Sequence, residues 1–213
     1  MRPLLRGYLH AVAAILSVLG GAYLVALSRS DPPRLISMLV YATGLTLLFA
    51  VSAVYHLRAW APGRAAILRR LDHASIFVLI ASTYTPIAFN LLSDPWRAGV
   101  LVTVWALAGA GATIAVAGVQ LARWLRVVVY IAMGWVATAA VAQLDPALPP
   151  GAVAALVAGG LLYTIGAVLY ALRRPDPWPR VFGYHEFFHL LTIAAAALFY
   201  ALILVYVVPA PRG

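Results

Sequence analysis

Apolar residues run along this chain in long blocks, separated by short breaks rich in Pro, Gly, Asp and Arg. Seven blocks are long enough to cross a bilayer, at roughly 7–28, 35–57, 71–92, 98–118, 124–142, 151–172 and 185–208. A helical span needs about 20 mostly apolar residues, whereas barrel strands alternate over about ten, so these spans are helices. The breaks read SRSDPPR, RAWAPGRAAILRR, SDPWR, QLDPALPPG and RRPDPWPR. Pro and Gly there end helices, and connections this short set neighbouring helices antiparallel. No linker or internal repeat divides the chain. The pattern predicts an all-α integral membrane protein, a single seven-transmembrane helix bundle over residues 1–213. The first block carries Arg2, Arg6 and a small-x-small ALS at Ala26–Ser28. Its apolar run exceeds the 7–15 residues of a signal core, so a retained helix is expected.

Composition agrees. The chain is 64% hydrophobic and only 10% charged, against ~25% charged in soluble domains. There is no cysteine, which removes disulfides and thiolate ligands, so any metal must be held by His and carboxylate. The net charge of +9 comes from arginine alone. These arginines lie between apolar blocks and read as topology determinants and contacts to anionic lipid. Nothing resembles the interleaved aromatic and basic surface of a nucleic-acid binder.

Arginine counting gives an orientation. Eleven lie at the amino terminus and in the second, fourth and sixth connections: Arg2, Arg6, Arg58, Arg64, Arg69, Arg70, Arg123, Arg126, Arg173, Arg174 and Arg180. Only Arg29, Arg34, Arg97 and Arg212 lie on the other side. The positive-inside rule then predicts a cell-membrane protein with a cytoplasmic amino terminus. Trp60, Trp96, Trp124 and Trp178 fall at span ends, where indoles favour the interface.

Ionisable residues inside spans cost a few kcal/mol or more each, so their placement carries information. Asp31, Asp94, Asp145 and Asp176 sit in breaks and read as turn residues, whereas Asp72 and Glu186 open spans three and seven. His10 stands alone in span one and reads as interfacial or structural. The topology brings His56, at the end of span two, to the same membrane depth as Asp72, His73, His185 and His189. His185 and His189 are four residues apart on one helix face. A lone membrane histidine usually bonds a neighbouring helix; His56, His185 and His189 together point to a metal ion. Three protein ligands with an open position form the pattern of a catalytic zinc site. Ser52 lies one turn before His56 on the same face. His73, turned about 100° from Asp72, reads as packing or support. Pro86 predicts a kink in span three, with Ser82 or Thr83 satisfying freed backbone groups. The run AGAGATIAVAG predicts close helix packing.

HEFFH at His185–His189 matches the H-E-x-x-H of zinc metalloproteases. Those enzymes take a third ligand downstream. The remaining LLTIAAAALFYALILVYVVPAPRG holds no His, Asp or Glu, which argues against the protease reading.

SAVYHL at Ser52–Leu57, LDHASIFVLIASTYTP at Leu71–Pro86 and GYHEFFHLL at Gly183–Leu191 resemble the hemolysin III family. That family is the bacterial branch of the progestin and adipoQ receptor group, a wider set that includes alkaline ceramidases. The resemblance implies seven spans, a cytoplasmic amino terminus and a zinc ion held by three histidines, matched by His56, His185 and His189. It implies that Asp72 holds the reacting water or completes the metal shell, with Ser52 beside it. Eukaryotic relatives often carry Gln at the place of Glu186, so no general-base role is expected there. Ser82 stands where bacterial members usually have Gly.

Three functions are compatible with this reading. The first is a zinc-dependent hydrolase acting on a lipid amide or ester, with a fatty acyl or ceramide-like ligand, Asp72 serving the water and Ser52 the oxyanion. The second is a receptor-like or lipid-homeostasis protein in which zinc is structural. The third is a membrane-permeabilising cytolysin, against which the sequence offers no soluble form that could hide its apolar surface.

Overall fold

Pro in the first turn opens three of the described helices, at Pro32, Pro62 and Pro150. The computed structural model describes residues 5–136, 149–178 and 180–211. Among the described residues there are seven helices: α1 Tyr8–Leu27, α2 Pro32–Leu57, α3 Pro62–Leu91, α4 Trp96–Val116, α5 Arg123–Gly134, α6 Pro150–Leu172 and α7 Tyr184–Leu202. The last continues into a π-helical turn, Ile203–Val207. Six of them are long and apolar enough to span a membrane. The described α5 has 12 residues. The rest of the predicted fifth span, with Arg2, Asp145 and Arg212, lies outside the described residues.

Local chemistry explains the boundaries. Asp31 accepts a hydrogen bond from the Arg34 backbone at 3.3 Å, capping α2, and Pro32 and Pro33 begin it. α4 closes with Gly118 at φ 78°, a left-handed value that glycine adopts without strain. There Gly118 N–H bonds Ala115 O at 3.1 Å and Val119 N–H bonds Ile114 O at 3.3 Å, a Schellman close. One boundary differs from expectation. α3 starts at Pro62, nine residues before the predicted 71, so most of the break RAWAPGRAAILRR is helical. Pro62 opens the helix, and Ala, Leu and Arg are strong helix formers that need no bilayer. Asp72 therefore lies ten residues into α3 rather than in its first turn.

Consecutive helices α1 to α4 pack on one another, α6 packs on α7, α5 touches α6 and α3, and α1 closes the ring on α7. α3 is the hub: 72% of its apolar window is buried, against 22–44% in the other spans. Large apolar side chains such as Ile15, Leu19, Val102 and Leu172 point outward, as a lipid-facing surface requires.

The α2–α3 contact is close because Gly44 offers no side chain against Ser82, whose Cβ and hydroxyl fill the space a Cβ at Gly44 would need. Gly111 on α4 likewise meets the Phe77 ring, whereas Gly109 faces open space. Only part of the small-residue run thus serves packing. Helix α3 continues through Pro86. Ser82 and Thr83 both bond Leu79 O, and Thr85 bonds Ala81 O. Fully buried Asn90 donates to Pro86 O and Ser37 Oγ. Arg34 reaches Asn90 Oδ1 and the carbonyls of Val208 and Ala210, tying the chain after α7 to α2 and α3.

Candidate metal centre

The antiparallel order delivers the last turns of α2, the third turn of α3 and the first turns of α7 to one end of the bundle. His56 leaves α2 there, Asp72 leaves α3, and His185 and His189 leave one face of α7. His56 Nε2 lies 3.3 Å from His185 Nε2. One nitrogen each of His56, His185 and His189 falls within 4.8 Å of the others. Neighbouring ligands of a tetrahedral zinc with Zn–N near 2.0–2.1 Å stand about 3.3 Å apart. The donor set, three imidazoles with a carboxylate alongside, suits that ion.

Asp72 Oδ2 stands 4.0 Å from His56 Nε2, and the Ser52 side chain sits beside the Asp72 carboxylate. Both, with His185 and His189, line a cavity of about 180 Å³, room for several waters or part of a small molecule. Apolar groups such as Ile76, Leu79, Ile80 and Leu156 extend its wall along α3 toward Leu92. A polar floor under an apolar shaft is a common form for a small-molecule site.

Glu186 takes another role. Its side chain is fully buried and receives Arg6 Nε at 2.9 Å. Its second oxygen accepts the Gly183 backbone N–H at 2.9 Å, boxing the start of α7. Both oxygens are engaged away from the histidines. Gly7, at φ 91°, packs on the backbone of His56 and Leu57, where a Cβ would meet Leu57 N at 2.9 Å. The segment Arg6–Gly7 therefore straps the end of α2 to the start of α7, between the residues that carry His56 and His185.

His73 turns from the cluster, as the sequence suggested. Its Nδ1 accepts Arg126 at 3.2 Å, and its carbonyl accepts Tyr130. His10 does more than its isolated position in the sequence suggests. Its ring, 2% exposed, stacks on His189 with centroids 3.7 Å apart and planes 12° from parallel, and Phe49 meets it edge-on at 5.1 Å. The sequence holds one hint of this contact: α1 is rich in small residues, which let backbone and imidazole come close to α7.

A family profile described as haemolysin-III related matches residues 1–200. The chain belongs to the haemolysin-III-related family. This family member is 29% identical to Hemolysin-3 of Bacillus cereus, over 94% of the present chain and 89% of that one. It is 26% identical to the Monocyte to macrophage differentiation factor of Homo sapiens, covering 96% of this chain and 84% of the relative. It is 30% identical to the Heptahelical transmembrane protein ADIPOR2 of Oryza sativa, over 76% of this chain and 78% of that one. The matched region of the family contains Ser52, His56, Asp72, His185 and His189. It is a multi-pass membrane protein of helical bundle type.

Proposed function

We propose that this family member is a zinc-dependent hydrolase of the cell membrane that cleaves an amide or ester bond of a lipid such as a ceramide-like molecule. The observation that carries the reading is the junction of three imidazole nitrogens, one carboxylate and one hydroxyl at the polar end of an apolar cavity. His56, His185 and His189 hold the metal, with Asp72 alongside. A zinc ion there supplies Lewis-acid polarisation of a carbonyl and brings the pKa of a water toward ~7.

The protein's own groups do the rest. Asp72 orients the attacking water, accepts its proton and passes it to the leaving amine or alcohol as the C–N or C–O bond breaks. Ser52, beside Asp72, stabilises the oxyanion that forms as the water adds. The apolar wall along α3 receives the first methylenes of the acyl chain and excludes water from the reacting bond. Fatty acid and amine or alcohol are the products. Arginine placement supports a cytoplasmic amino terminus, which sets the reaction at the cytoplasmic leaflet.

The test uses purified, zinc-loaded protein in lipid nanodiscs with ceramide-like and ester lipids. Release of fatty acid by wild type, abolished in His56→Ala, supports the proposal. Stoichiometric zinc without release from any such lipid counts against it and favours a structural role for the metal. The histidine packing favours that second reading in one respect: His10 stacks on His189, and Phe49 and His56 meet these rings edge-on, a block suited to rigidity. Cytolysis is not proposed, because the outward apolar surface leaves no soluble form to be delivered.

A further inference from the structure

A second cavity, of about 100 Å³, opens at the same end of the bundle, between the start of α3, the end of α4 and the start of α5. Its lining has two characters. Arg69, Arg70 and Arg126 supply one part, and apolar groups such as Phe77, Ile114 and Val129 supply the other. Among the described residues no carboxylate lines it, and none forms an ion pair with these three arginines.

Two of the arginines are held in place. The Arg70 guanidinium lies against Gly118, where any Cβ would collide with it, and its Nη1 donates to Val116 O at 3.5 Å. Arg126 Nη1 meets His73 Nδ1 at 3.2 Å, an acceptor that brings no counter-charge. Arg69 stands exposed beside them. Three like charges around so small a groove repel unless an anion lies among them. Guanidinium forks match the oxygens of a phosphate in pairs. The apolar side matches the glycerol and first methylenes that a lipid phosphate carries, and a free phosphate has no use for it. Exposed Trp124 opens the neighbouring turn of α5, as an indole does at headgroup level.

We propose that this groove binds the phosphate of an anionic lipid headgroup, clasped by Arg69 and Arg126 over the Arg70–Gly118 seat. His73 and Arg126 line both this groove and the histidine cavity, so the bound headgroup stands one side chain from the candidate centre.

The test uses the full chain in nanodiscs of phosphatidylcholine, alone or mixed with phosphatidylglycerol, read by native mass spectrometry of retained lipid and by thermal midpoint. Wild type retains phosphatidylglycerol preferentially and gains stability from it. Arg69→Gln/Arg126→Gln retains it roughly tenfold less or weaker still, while Arg64→Gln/Arg174→Gln, at the same end but outside the groove, retains it as wild type does. Inorganic phosphate added to phosphatidylcholine discs leaves the midpoint unmoved. Equal loss in both double variants means diffuse charge and overturns the site. A phosphate-induced shift as large as the lipid's overturns the lipid assignment in favour of a soluble anion. If the glutamine variant does not fold, Arg69→Lys/Arg126→Lys keeps the charge without the forks; retention equal to wild type then overturns the proposal.

Discussion

Asp72→Asn keeps the shape of the side chain and removes its basicity. If Asp72 takes the proton of the attacking water, turnover falls by about 10²–10⁴, while bound zinc stays near wild type because three histidines remain. Glu186→Gln separates the opposite case. Glu186 is buried on Arg6 and the Gly183 N–H, so the variant loses stability by about 1–3 kcal/mol, read as a lower thermal midpoint, and keeps its metal and turnover. A general base at this position would give the reverse, intact stability with a collapsed rate. The sequence exposed the histidines and Asp72 because each is an expensive polar residue in an apolar block. It could not expose the Arg6–Glu186 pair, whose partners lie 180 positions apart, nor the stacking of His10 on His189, which depends on how α1 leans on α7.

At the scale of elements, the helices were legible wherever an apolar run of bilayer length ends in Pro or Gly. The early start of α3 was hidden because Arg64, Arg69 and Arg70 read as a loop by charge, although their helix propensity is high. The α2–α3 contact carries a sharp expectation. Gly44→Leu has no room against Ser82 and pushes the hub helix from α2, which holds His56. Overpacking of this kind costs about 1–3 kcal/mol. The variant melts earlier and also loses metal affinity, since His56 moves relative to Asp72. Gly109→Leu, on the open side of α4, leaves both unchanged. A midpoint series with metal titration distinguishes the two positions.

Across the whole molecule, the candidate centre is a product of topology. His56 and His185 are 129 positions apart, and only an antiparallel ring with α3 at its middle brings the end of α2 and the start of α7 to one depth. The seven-helix pattern and the arginine-rich face foretold that convergence. The shape of the cavity and the groove beside it were not foretold, because they are spaces between helices. Whether this convergence holds a metal is read by elemental analysis of protein purified without chelator, wild type beside His185→Ala/His189→Ala. Wild type carries about one zinc per chain, and the folded double variant almost none. A metal-free wild type, or a double variant with undiminished zinc, would contradict a metal centre here.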